Sequence, residues 1–78
     1  MDEISLCQLK PDECGRITEL GQYAAVRRRL RDLGFLPGAD IICLFAAPSG
    51  SPIAFYIKGT VLALRKEDCN RIKVKRCE

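Results

Sequence analysis

RRRLRDLGFLPGADI, residues 27–41, reads as the close of a helix, a stop, a tight corner and the opening of a strand. Leu30 and Leu33 continue an apolar stripe begun by Tyr23 and Val26, at the spacing of one helical face. Gly34 supplies the left-handed residue that closes a helix, and Phe35 is placed to fold back on the last turn. Pro37 cannot continue the helix, and Pro37-Gly38 makes a turn into the apolar run 39–46. The spacing predicts a helix over about 23–33, with Arg28, Arg31 and Asp32 pointing away from the core and Arg27 and Arg29 flanking the stripe.

Working outward, the run 39–46 is followed by two more β-rich runs, 53–57 and 60–64. Residues 48–52, PSGSP, are a loop by every local signal, whereas Lys58-Gly59 reads as a two-residue hairpin turn. Upstream, the segment 14–20 leans to strand through Ile17 and Thr18, with Gly15 marking a bulge or a close approach. Before it, Leu6 and Leu9 tuck inward from an irregular segment, and 10–13 is a polar turn containing Pro11. Downstream, Lys66-Glu67-Asp68 reads as a polar turn, and 71–75 alternates Ile72 and Val74 with basic residues as a half-buried strand does. Five short strands and one helix close most economically into a small, partly open barrel. Phe35, Phe45 and one of Phe55 and Tyr56 are assigned to its core; alternation sends the other of that pair outward.

Seventy-eight residues are expected to form one small domain, 1–78, with no repeat and no low-complexity segment. The acidic start Met1-Asp2-Glu3 is unlike a signal peptide, and the longest apolar run is far too short for a bilayer, so a cytoplasmic protein is expected. The net charge of +3 does not by itself imply nucleic acid. Its distribution is uneven: Arg27, Arg28, Arg29 and Arg31 crowd one helix, and Arg71, Lys73, Lys75 and Arg76 lie near the end. A solvated face, favoured near a helix C-terminus by the dipole, competes with a docking surface for an acidic partner.

Five cysteines without a secretory signal argue against a disulfide framework, and none has the short spacing of a zinc knuckle. They are expected to be reduced packing thiols, with no metal or cofactor assigned. Histidine is absent, which removes Ser-His-Asp and Cys-His catalysis, and no phosphate-cradling glycine loop occurs. The chain is therefore expected to be no enzyme. Binding remains, through either the arginine face of the helix or a sheet face carrying an exposed aromatic. The latter suits the stacking of single-stranded bases.

The series Leu6, Leu9, Pro11, then CGRI, RRRLRDLGFLPGADI, APSGSPIAFYIKGTVLALRKED and RIKV resembles the FeoA family over residues 6–74. Its most specific parts are RLRDLGFLPG and the later block with Gly59, Leu62, Leu64 and Arg65. The resemblance implies an SH3-like barrel with an inserted helix, in an accessory protein of bacterial ferrous iron uptake and hence of transition-metal handling. It further implies a partner, the FeoB-type membrane iron transporter with its cytosolic GTP-binding domain, contacted without catalysis. Related domains end some metal-responsive repressors; no helix-turn-helix occurs here, so the stand-alone form is expected. On this reading Leu30, Gly34, Pro37, Gly38, Gly59 and Leu64 are structural, while Arg27, Arg28 and Arg31 are presented to the transporter. The alternative is a small nucleic-acid-binding or metal-binding module. Two turns depart from the family pattern: Pro11-Asp12 stands where Pro-Gly is usual, and Ser51 precedes Pro52 where an acidic residue is common.

Overall fold

The computed structural model describes residues 3–21 and 24–77, with the side chains of 24–26 outside that description. In chain order the elements are β1 (Ile4–Ser5), a 3-10 turn (Leu6–Gln8), β2 (Cys14–Glu19), α1 (Ala24–Asp32), β3 (Asp40–Ala46), β4 (Ile53–Ile57), β5 (Thr60–Leu64), α2 (Lys66–Arg71) and β6 (Lys73–Arg76). The strands form one antiparallel sheet in the order β1-β6-β2-β3-β4-β5. The mainly β architecture with a helix between β2 and β3 agrees with the sequence. Six strands replace the expected five, because Ile4 and Ser5 pair with Val74 and Lys73. A two-residue strand is defined by its partner and leaves no local pattern.

The corner at 30–39 forms as its residues dictate. The amide of Gly34 donates to Arg31 O (3.0 Å) and that of Phe35 to Leu30 O (2.8 Å), the paired bonds of a Schellman cap. Gly34 has φ +97°, which a side chain would strain, and the cap turns Phe35 into the core, where it is fully buried. Ala39 N–H then donates to Leu36 O (2.9 Å) across Pro37-Gly38, closing the turn that launches β3. Lys58 and Gly59 both have positive φ (49° and 82°), the type I′ geometry that matches strand twist in the β4–β5 hairpin. Asp12 also adopts positive φ (71°), so the Pro11-Asp12 turn keeps the backbone shape that Gly commonly supplies.

One core cluster joins the 3-10 turn, all the strands from β2 to β4, both helices and β6. Leu6 and Leu9 are buried as expected, and Gly15 is a close approach: a Cβ there would meet Leu9 and Val74 at 3.1–3.2 Å. Phe55 faces in and Tyr56 out.

Four expectations are corrected. Phe45, assigned to the core, is 62% exposed. Between Cys43 and Phe45 the register against β4 shifts by one residue, and this bulge inverts the alternation that Ile41 and Cys43 begin. Leu33, assigned to the buried stripe, is 40% exposed, because α1 ends at Asp32 and the cap swings the chain away. Tyr23 and the side chain of Val26, the other two members of that stripe, lie outside the described residues. Residues 66–71 are a helix rather than a turn, with Glu67 and Asp68 in its first turn, Arg71 in its last and Cys69 buried beneath it. Finally, β6 starts at Lys73, two residues later than expected, since α2 takes Arg71. The unequal burial of the two leucines is testable by thermal melts. Leu30→Ala is expected to cost about 2–5 kcal/mol and Leu33→Ala under about 1 kcal/mol.

Candidate partner-docking surface

α1 presents one buried anchor and a basic exterior. Leu30 is 3% exposed, whereas Arg27, Arg28, Arg29 and Arg31 all face solvent. Arg29 and Arg31 stand in the last turn, where the carbonyl end of the helix favours positive charge. Of the residues expected to meet a partner, Arg27, Arg28 and Arg31 are brought together, with Asp32, around a hollow of about 410 Å³. Arg27 and Arg31 also border a second hollow of about 260 Å³ with Glu19, Leu20 and Pro37. Among the described residues, none of these three arginine side chains makes a hydrogen bond or ion pair. The ion pairs lie elsewhere: Arg16 Nε to Asp40 Oδ1 at 3.2 Å and Arg76 Nε to Glu13 Oε2 at 3.3 Å. Glu13 also accepts from the backbone N–H of Lys10 (2.7 Å), and that bond, followed by Arg76, holds its carboxyl below the usual value.

Gly34, Pro37 and Gly38 turn the chain immediately after α1; Gly59 turns β4 into β5, and Leu64 is half-buried against the core.

Sequence reasoning missed a further concavity. A groove of about 540 Å³ runs between α1 and β5, with Leu33, Leu62 and Leu64 along it and Arg29, Arg65 and Asp68 at its charged margin. β5 is an edge strand of the sheet, so the groove lies beside backbone groups with no strand neighbour. The signal was available only in part. Leu33 is visible as an apolar residue near a helix end, but its freedom to line a groove follows from where the cap sends the chain. The second surface, carrying an exposed aromatic, is also present. Tyr56 is exposed and sits in a cross-strand row with Ile42 and Val61.

The five cysteines divide by environment. Cys43 and Cys69 are buried packing thiols as expected, and burial pushes the Cys69 thiol up to about 12. Cys7, Cys14 and Cys77 are partly exposed. Cys7 Sγ donates to Asn70 Oδ1 at 2.7 Å and lies 3.1 Å from Ser5 Oγ. Among the described residues, one group of side chains can ligate a metal ion together: Cys14, Asp40 and Cys77.

With this geometry in place, comparison with known proteins gives a consistent result. The FeoA domain profile matches residues 4–76. An NMR structure of an FeoA-like protein from Clostridium acetobutylicum superposes with a TM-score of 0.89 at 28% identity, covering 100% of this chain and 91% of that one. The FeoA protein of Chlorobium tepidum gives 0.91 at 35% identity, over 96% of this chain and 71% of the other. The FeoA of Stenotrophomonas maltophilia, a prokaryotic SH3 domain protein crystallised with zinc, gives 0.81 at 28% identity over 92% and 89%.

Proposed function

The chain belongs to the FeoA family, and from that premise we propose that it is a non-enzymatic accessory protein of ferrous iron uptake that docks on an FeoB-type transporter from the cytosolic side. The observation that carries the docking surface is the cluster of Arg27, Arg28 and Arg31, exposed around a shallow hollow without an ion-pair partner among the described residues. Unpaired guanidinium groups on a rigid helix keep their bidentate donors available for carboxylates, at little cost in side-chain ordering. The neighbouring groove adds apolar area at Leu33 and Leu62, so an acidic segment with one or two apolar side chains fits both features. Among the described residues, no helix is long and apolar enough to cross a membrane, and the partner supplies the membrane component. Docking changes GTP turnover or gating only to the extent that it favours one transporter conformation over another.

The test is an amide-by-amide titration of isotope-labelled protein with the transporter's soluble GTP-binding domain, with and without nucleotide, then with the whole transporter in detergent. Shifts confined to α1, the corner after it and β5 are expected. Shifts centred on Ile42, Tyr56 and Val61 would move the interface to the outer sheet face. No response to either partner form would overturn the transporter reading. Salt-sensitive binding of single-stranded RNA at Tyr56 would then favour the nucleic-acid alternative.

A further inference from the structure

We propose that Cys14, Asp40 and Cys77 form a three-ligand site for a divalent cation of the zinc class, with a fourth position left to water or an external donor. The three residues come from distant parts of the chain. Cys14 opens β2, Asp40 opens β3, and Cys77 directly follows β6. The sheet order places β2 between β6 and β3, which makes these three strand ends neighbours. Cys77 N–H donates to Cys14 O at 2.9 Å, fixing the two cysteine backbones side by side. Their thiol sulfurs and a carboxylate oxygen of Asp40 all lie within 4.8 Å of one another, and Cys77 Sγ is 3.9 Å from Asp40 Oδ1.

These separations suit tetrahedral coordination. Zinc–sulfur bonds of about 2.3 Å and zinc–oxygen bonds of about 2.0–2.2 Å put neighbouring donors roughly 3.4–3.8 Å apart. Small side-chain rotations therefore close the site without moving the strands. Two thiolates select a borderline-soft ion over magnesium or calcium, and the single carboxylate leaves the coordination sphere open. Arg16 completes the arrangement: its Nε meets Asp40 Oδ1 at 3.2 Å, orienting the carboxylate. Its positive charge also offsets the surplus negative charge that two thiolates and a carboxylate bring to a dipositive ion. Cys14 and Cys77 are partly exposed, so the site is open to exchange, unlike the buried thiols of Cys43 and Cys69.

The experiment uses the reduced full-length chain, titrated with Zn²⁺ against a chromogenic chelator and, separately, with Co²⁺ as an optical probe. One ion per chain is expected, with thiolate-to-cobalt charge-transfer absorption. Reactive thiols should fall from the three partly exposed cysteines to Cys7 alone. Cys14→Ser or Cys77→Ser should remove the charge-transfer band and weaken binding more than about 100-fold, while Arg16→Gln costs about 10-fold by loosening Asp40. Cys7→Ser should change nothing. Amide shifts of the unaltered protein centred on residues 14, 40 and 77 locate the ion even where a serine variant folds poorly. Retention of the ion by a Cys14→Ser/Cys77→Ser variant would overturn the proposal. So would a reduced chain that binds no Zn²⁺ yet joins Cys14 to Cys77 on oxidation.

Discussion

Phe35→Ala is expected to destabilise the protein by about 3–5 kcal/mol, a large part of the roughly 4–12 kcal/mol available to a domain of this length. Phe35 is fully buried and belongs to the core cluster, so its loss removes transfer energy and leaves a void in the core. The backbone bond from residue 35 to Leu30 O survives the substitution, which isolates the side chain's contribution. For a domain of 60–100 residues that cost lowers the melting temperature by roughly 12–40 °C. Phe45→Ala deletes the same side chain from a position that is 62% exposed, and is expected to change stability by about 0.5 kcal/mol or less. Denaturant melts of the pair decide the point. Equal losses would mean that Phe45 packs inward and that the bulge in β3 does not form.

The second large effect concerns recognition. Reversing Arg27, Arg28 and Arg31 to Glu moves the net charge of +3 by six units to the negative side and turns the face of α1 from attractive to repulsive for a carboxylate-rich partner. At roughly 1 kcal/mol per reversed exposed charge, transporter association should weaken at least about 100-fold. The neutral Gln triple should lose about tenfold, and wild-type affinity should fall with added salt. The fold should survive, since all three side chains are exposed and none holds an ion-pair partner among the described residues. Of the three, only Arg31 lies in the last turn, where Glu turns a modest favourable dipole contribution into a modest unfavourable one. Circular-dichroism melts alongside the binding assay separate the two effects. Undiminished association in the Glu triple would exclude this face and direct attention to the outer sheet row at Tyr56.

The Schellman cap, the Pro37-Gly38 turn and the Lys58-Gly59 hairpin were all legible, because each depends on backbone preferences of two or three adjacent residues. The arginine cluster was legible as well, since residues three and four apart on a helix share a side regardless of what the helix packs against. α2 was not. Its polar sequence KEDCNR suits a turn equally, and its first amide is capped by Ser51 Oγ (3.1 Å, to Lys66 N), fifteen positions upstream. A helix this short is unstable alone, and forms here because packing buries Cys69.

Composition and local pattern by themselves determined a mainly β chain with one inserted basic helix, its sharp corner, and the inward Leu6, Leu9, Leu30 and Phe35. Those features follow from short-range sterics and from alternation, which a chain carries in its order of residues. Tertiary structure alone decided the bulge that exposes Phe45, the groove beside Leu33 and the meeting of Cys14, Asp40 and Cys77. Each of these depends on strand order and register. A shift of one residue in pairing sends a side chain to the opposite face, and such a shift is set by the whole core rather than by any neighbouring residue.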